Sequence, residues 1–416
     1  MNFYTIKYIT FLYYWRWDVD RRMPGNCLLV ISKNEGINPI SIAEQAIESG
    51  VIDKVIISDG SNEETFKRLK AKETKKIEVI SENKYVKTTE IGKGIGMING
   101  GLAAIEQGFE NVGYIDGDIY NPSMGKWFEF LFDPLDKNID IVKAAFSRNP
   151  VDGQITRHIT KPLIAMFFPN AWEIDQPLGG ELSIKADALK EILTNGMAPP
   201  YGWGIDSFIT MKSLMYGYRM GEVYLGQKMH GKKTLTNLQK MFVECFQEAI
   251  RVIQYFYSLP VRKKINPITM VSSPFRKNPS FDEAYMDVKK EVERSLETFK
   301  LIKKMYLPHD DLFYDIKEAN DFNSFYKKTQ LINVNIWVEL LYWFVKKYSP
   351  AYIDQYYYRW KVRALSFCLH EINTVEQAET RTTFQAKAAS DFITKIGERP
   401  SIDDSSKKMY FYQARD

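Results

Sequence analysis

The stretch VGYIDGDIYN, residues 112–121, decides how the chain is read. It starts as an apolar strand and ends in two aspartates one residue apart, Asp116 and Asp118. A buried strand that finishes in paired carboxylates needs a partner for the charge. Upstream, CLLVI (27–31), VIDKVIISDG (51–60) and KIEVIS (76–81) read as three further strands. Between them lie helical patterns. PISIAEQAIESG puts Ile42, Ala46 and Ile47 on one face and closes on Gly50, NEETFKRLKAK follows, and GKGIGMINGGLAAIEQG (92–108) opens on glycines. Strands alternating with helices, joined by connections too long for hairpins, predict an α/β fold with a mostly parallel sheet. Ligands bind such sheets outside the carboxyl ends of the strands. Lys33–Glu35, Asp59 and the aspartate pair all fall there.

From about residue 139 the pattern is mixed, with IDIVKAAF, GGELSI (179–184) and MGEVYL (220–225) as strands. From residue 235 it turns helical. Phe242, Phe246, Ala249 and Ile253 form one amphipathic stripe, and two more helical regions follow at about 280–305 and 335–372. The aromatic runs WVELLYWFVKKY and IDQYYYRW supply either a homo-oligomer interface or a core. The expected division is an N-terminal extension at 1–25, a catalytic α/β domain at 26–232 and an α-helical domain at 233–416. Met23 is a candidate natural start, with residues 1–22 dispensable; the alternative is an interfacial or packing segment.

With 45% apolar and 26% charged residues the chain has a globular profile rather than a disordered one. Its 56 basic and 52 acidic residues nearly balance, which gives no reason to expect nucleic acid or a membrane surface. The N-terminal apolar run, broken by Lys7, Arg16 and Asp18, is too short and too charged to span a bilayer. Three scattered cysteines without metal spacing fit a reducing cytosol.

Two carboxylates at i and i+2 leaving a sheet suit a hard divalent cation, Mg²⁺ or Mn²⁺, that takes substrate phosphates as further ligands. A D-x-D alone is weak, since Asp-Gly-Asp turns are common in solvated loops. In GKGIGM, helix-start amides and Lys93 offer positive charge to a nucleotide, although the Walker and dinucleotide-binding spacings are absent. QPLGGELSI (176–184) lets a ligand lie against backbone at its paired glycines, or marks a bulge. In GWGIDSF (202–208), Trp203 presents a flat face of the kind sugars stack on. Asp206 opens a helix, where an N-cap is the bland reading. His230 lies one strand and loop later and joins the set if it returns to the face of Asp118.

In this order, LLVISKNEG, GKGIGM, YIDGDI, SRNPVDGQIT, DQPLGGEL, WGID and a His followed by MFVECF resemble the mannosylglycerate synthase family of retaining glycosyltransferases. The resemblance runs from Leu28 across most of the chain. It implies a GT-A nucleotide-sugar domain with a helical C-terminal domain, and a divalent metal. The implied activity is transfer of mannose or glucose from a nucleoside-diphosphate sugar, GDP favoured, to D-glycerate, giving a compatible solute. It places Lys33, Glu35 and Lys93 at the nucleotide and makes Asp116, Gly117 and Asp118 the D-x-D. Asp118 and His230, with Asp116, are the implied metal ligands. Leu178 and Gly179 would lie against the donor and Asp206 beside the transferred sugar. Arg148, Asp152 and Thr156, with Trp203, would face the acceptor. Gly117 stands where a family member carries alanine, a change expected to matter little. After His230, GKK replaces an expected arginine and tyrosine, and Lys232 and Lys233 could accommodate 3-phosphoglycerate as the alternative acceptor. An alternative of another class is a nucleotide-sugar-binding protein that has lost catalysis.

Overall fold

A computed structural model describes residues 23–397 apart from 87, 89, 91, 232–234 and 276–286. The expectations for residues 1–22 and for Lys232 and Lys233 lie outside the described residues. Strands β1 (Met23–Ser32), β2 (Lys54–Asp59), β3 (Ile77–Ser81), β4 (Phe109–Asp116), β5 (Ile141–Ser147), β6 (Leu182–Lys185), β7 (Met220–Gln227) and β8 (Thr269–Val271) form one sheet. Its order is β3-β2-β1-β4-β6-β5-β7-β8. Only β6 runs antiparallel to its neighbours β4 and β5. The mostly parallel α/β sheet expected of a GT-A fold is borne out.

Helices α1 (Asn38–Glu48), α2 (Glu63–Lys70), α3 (Lys93–Glu106), α4 (Gly125–Phe132), α5 (Lys161–Phe167), α6 (Ala186–Thr194) and α7 (Ile205–Met215) connect the strands. Side chains of β1 alternate between two cores. Leu28 and Val30 meet Val55, Ile57 and Ile115 on one face, while Cys27 and Leu29 meet Ile56, Ile98 and Val112 on the other. Covering both faces is what makes these strands continuous apolar runs rather than alternating ones. Truncating the fully buried Leu29 to alanine would cost about 3 kcal/mol.

Beyond the sheet come α8 (Gln239–Ser258), α9 (Val288–Phe299), α10 (Asp310–Tyr314), α11 (Phe322–Thr329), α12 (Val334–Lys346), α13 (Ile353–His370) and α14 (Val375–Ile396). They share its core. One apolar cluster runs from Ile98 and Leu163 through Phe242 and Phe246 to Trp337 and Trp360, and β8 pairs with β7 at the sheet edge. Trp337, Phe344, Tyr356 and Trp360 are buried, so these aromatic residues serve the core.

The helices also hold the segment that leaves β5. A π-helical turn at Thr156–Thr160 leads into α5. Arg157 donates to Ala378 O (2.9 Å) and Thr382 Oγ1 (2.6 Å) of α14. The Trp337 indole donates to His158 O (2.7 Å) and the Trp360 indole to Gln154 O (3.2 Å). Burial, with the nearby Arg363 charge, holds the His158 imidazole well below its usual range, so it is a neutral packing group. Among the described residues no helix is long and apolar enough to cross a membrane.

Candidate active site

The carboxyl ends of β1, β4, β5 and β7 lie along one edge, with Ile31 of β1 level with Asp116 of β4. The D-x-D turn is fixed there by backbone and amide bonds. Gly117 N donates to Ile31 O (2.8 Å), and Asn38 Nδ2 donates to Gly117 O (2.8 Å) and Ile119 O (2.7 Å). A Cβ at Gly117 would stand 2.8 Å from Ile31 O and 3.2 Å from Ser32 Cα. Alanine there would therefore force backbone apart, contrary to the expectation that the glycine matters little.

Two lysines embrace Asp116. Lys93 Nζ, at the start of α3, is 2.9 Å from Asp116 Oδ1 and 3.0 Å from Asp206 Oδ2. Lys228 Nζ, one residue beyond β7, is 3.1 Å from Asp116 Oδ2 and 2.6 Å from Glu181 Oε1. The result is an alternating chain of charges, Asp206–Lys93–Asp116–Lys228–Glu181, in which Glu181 is 1% exposed. Burial opposes the charge on Lys93, but Asp116, Asp206 and Glu181 outweigh it and hold the ammonium above its ordinary range. Lys228 follows the same pattern, with Glu181, Asp116 and Asp118 outweighing burial. Both lysines are cations at any physiological pH.

Gly180 permits this pairing, since a Cβ on it would fall 2.4 Å from Lys93 Nζ and 2.7 Å from Asp116 Oδ1. The neighbouring Gly179 carbonyl accepts from Lys143 Nζ at 2.5 Å, beneath the loop. Burial is the main force that pushes the Lys143 ammonium down, to about 8.

A cavity of about 350 Å³ opens on this cluster. Lys93, Asp116, Asp206 and Lys228 line it, together with Arg148, Asp152, Thr156, Leu178, Trp203 and His230. Most of the expected site residues therefore share one space. Asp206 is the second residue of α7, and its carboxylate pairs with Lys93 instead of capping the helix. Its other oxygen, Oδ1, is buried and accepts no hydrogen bond among the described residues. Arg148 Nε donates to Gln176 Oε1 (2.9 Å), and the Gln176 amide nitrogen donates to Phe146 O. His230 Nε2 stands 4.0 Å from Asp152 Oδ2, and its Nδ1 is 2.8 Å from Gly231 O.

Other expected residues lie beside the cavity rather than in its walls. Asp118 is half-buried, and its charge reaches Lys228. Gly179 backs the loop whose neighbour Gly180 faces the cavity. Lys33 and Glu35 follow β1 on the same edge, with Lys33 exposed. Burial pushes the Glu82 carboxyl up, against the pull of Lys33 and with the push of Asp59. The α3 amides expected to meet phosphate are engaged elsewhere, Gly94 N on Gly202 O (3.1 Å) and Ile95 N on Tyr201 O (3.0 Å). Gly92 and Gly94 instead admit that loop, because a Cβ at Gly94 would lie 2.2 Å from Pro200 O and one at Gly92 2.7 Å from Tyr201 O.

Lys228, Lys143 and Gln176 were not singled out in the sequence. Lys228 lies two residues before His230, in a motif read only for its histidine. Gln176 and Glu181 lie in QPLGGEL, read for its glycines. For a divalent cation, the donor chemistry of Asp116, Asp118 and His230 fits, and an ammonium already stands on the D-x-D where positive charge is wanted. Among the described residues, no three His, Cys, Asp or Glu are gathered as a ready cluster.

Residues 46–251 match the family model described as Mannosylglycerate synthase, GT domain. The chain is 31% identical over 179 residues to mannosylglycerate synthase of Selaginella moellendorffii, covering 41% of this chain and 42% of that protein. It is 26% identical over 231 residues to glucosyl-3-phosphoglycerate synthase of Mycolicibacterium paratuberculosis, covering 51% of this chain and 67% of that one. The chain thus spans less than half the length of the first relative. A crystal structure of glucosyl-3-phosphoglycerate synthase from Mycobacterium tuberculosis, with Mn²⁺, UDP and phosphoglyceric acid, aligns with a TM-score of 0.47 at 22% identity. That alignment covers 57% of this chain and 80% of the other.

Proposed function

Residues 46–251 make this chain a member of the mannosylglycerate synthase GT-domain family, and from that premise we propose that it is a retaining hexosyltransferase. Its donor is a nucleoside-diphosphate sugar, with GDP-mannose or GDP-glucose favoured, and its acceptor is D-glycerate. The product is a glycosylglycerate compatible solute. The observation that carries this reading is the single cavity that holds the Lys93–Asp116–Asp206 cluster and also Arg148. The cluster suits a sugar diphosphate, while a guanidinium suits a carboxylate acceptor, which it can bind with two parallel hydrogen bonds.

Asp116, Asp118 and His230 would hold a divalent metal, which supplies Lewis-acid stabilisation to the departing diphosphate. Lys93 adds fixed positive charge where negative charge develops, and the buried site makes that charge count for more than it would in water. Asp206 Oδ1 is a buried acceptor poised for a sugar hydroxyl. The bond between the anomeric carbon and the diphosphate oxygen breaks as the acceptor hydroxyl bonds to the same carbon. The hydroxyl proton passes to the departing phosphate oxygen on the same face, so configuration is retained without a protein nucleophile. Leu178 closes the apolar side of the donor space, and Asp152, Thr156 and Trp203 complete the acceptor end.

All of these residues fall within 26–232, which we take as the catalytic domain. The helices between Gln239 and Ile396 act as its buttress. The free cysteines agree with a reducing cytosol. The test is a matrix of GDP- and UDP-linked mannose and glucose against D-glycerate and 3-phosphoglycerate, with and without Mn²⁺, with products identified by NMR. A glycosylglycerate with retained anomeric configuration is expected. Turnover with 3-phosphoglycerate alone would move the acceptor assignment, and no transfer in any combination would leave a nucleotide-sugar-binding protein.

A further inference from the structure

Asp116 is the carboxylate on which the charge chain turns, with Lys93 on one oxygen and Lys228 on the other. Lys93 already belongs to the proposed chemistry, whereas Lys228 has no assigned role. Three observations bear on it. Its ammonium is shared with Glu181 at 2.6 Å, a carboxylate buried to 1% exposure, so Lys228 keeps a partner if it releases Asp116. Its segment is tied to the turn that follows the D-x-D. Asn121 Nδ2 donates to Gln227 O (2.8 Å), Met229 N donates to Asn121 Oδ1 (2.8 Å), and Tyr120 OH donates to His230 O (3.1 Å). Finally, the described acids and histidines form no ready metal cluster, while this ammonium sits on one of the carboxylates that would form it.

We infer that Lys228 is the resident counter-cation of the D-x-D. In the empty enzyme it holds Asp116 and keeps a divalent metal loosely bound, and it yields that carboxylate when a nucleoside diphosphate offers its oxygens to the ammonium. Like charges at contact distance repel strongly at low effective dielectric, so metal and ammonium do not share Asp116 without cost. A diphosphate carries enough negative charge to satisfy both. Metal and nucleotide then strengthen each other's binding, and that coupling is reciprocal by linkage. The inference rests on the proposed metal site.

The test measures free Mn²⁺ by electron paramagnetic resonance, with Mn²⁺ alone and with Mn²⁺ plus GDP or, in parallel, UDP. It uses the wild type, Lys228→Met, and Lys228→Gln, which retains a hydrogen-bond donor for Glu181 in case the methionine variant folds poorly. Removing the charge is expected to tighten Mn²⁺ binding without nucleotide by about tenfold, and to shrink the coupling between metal and nucleotide by a similar factor. Lys228→Arg is expected to retain the wild-type coupling. Unchanged or weaker Mn²⁺ binding in the neutral variants overturns the inference. So does an equal gain with and without nucleotide, which would mark only a general change in local field. If wild type binds Mn²⁺ with nucleotide but the coupling does not depend on Lys228, this inference falls and the metal reading stands. If wild type binds no Mn²⁺ under any condition, both fall.

Discussion

Lys93 Nζ lies 3.0 Å from Asp206 Oδ2 although 113 residues separate the two in sequence. The contact joins the start of α3 to the first turn of α7, and Asp116 at 2.9 Å makes it a triad. Lys93 is the bridge that holds the two carboxylates together.

Replacing Lys93 with methionine leaves Asp206 and Asp116 without their common cation. Breaking a buried ion pair from one side costs about 3 kcal/mol or more, so the melting temperature should fall. Sugar transfer should fall further, by about 10²-fold or more, as expected when a charge aimed at a developing anion is lost. Lys93→Met with wild-type turnover would remove Lys93 from the chemistry. Asp206→Asn keeps the size and a donor–acceptor group, so its stability loss should be smaller while turnover still drops.

Gln176 receives the Arg148 guanidinium on Oε1 and anchors its own amide on Phe146 O. The buried Glu222 carboxylate accepts the Gln176 backbone N–H at 2.8 Å and so fixes the turn. Gln176→Ala should let Arg148 swing without removing its charge. The acceptor KM is expected to rise by about tenfold, with donor hydrolysis unchanged, since a misplaced binding group costs on this scale. Arg148→Ala should raise it further. Steady-state kinetics in acceptor at saturating donor distinguish the two.

Lys143 is buried, and burial holds its ammonium down to about 8, against 10.5 for an ordinary lysine. Between those values the unfolded chain binds a proton that the folded chain does not, so stability rises with pH across the window and is flat below it. One such group contributes a slope of at most about 1.4 kcal/mol per pH unit. Lys212, which burial pushes to about 7 and which donates to Ile192 O, Asn195 O and Met197 O, adds a slope of the same sign. Urea unfolding from pH 7 to 10.5 should show a shallower rise in Lys143→Met than in wild type. Equal slopes would mean that Lys143 is not titrating in that window.

Much of this architecture was legible in the sequence because β1, β2 and the VGYI stretch of β4 are buried on both faces and so appear as apolar runs. The order of motifs along the edge followed from that. Orientation did not: β6 has four residues and β8 three, too few to declare direction or partner. Helix α14 escaped notice because its inward stripe is Ala378, Thr382, Gln385, Ala386 and Ala389, small and polar residues that leave no hydrophobic period. Lys228 was obscured for a different reason. A lysine is ordinarily a solvated surface group, and this one acquires its role only where the ends of β7 and β4 meet the loop before β6.

Gly180 gives a steric test of that meeting point. Its φ is not in the left-handed region, so backbone strain is not the reason for glycine. The space is the reason, because an added Cβ would lie 2.4 Å from Lys93 Nζ and 2.7 Å from Asp116 Oδ1. The far end of Lys93 can yield, but Asp116 sits on a turn pinned by Gly117 N and Asn38. Gly180→Ala should therefore fold, displace the Lys93 ammonium and lose turnover by about tenfold or more, in line with a displaced charge at a reacting centre. Gly117→Ala presses on the Ile31 carbonyl instead and should cost stability first, about 1–3 kcal/mol as for other overpacked sites. Gly125→Ala is the control, since its Cβ would meet nothing nearer than Ser49 Cβ at 3.8 Å. Melting temperature and kcat measured on the three variants should separate a loss of chemistry, a loss of stability and no loss. If Gly180→Ala retains full turnover, the close approach of Lys93 to Asp116 is not needed for catalysis.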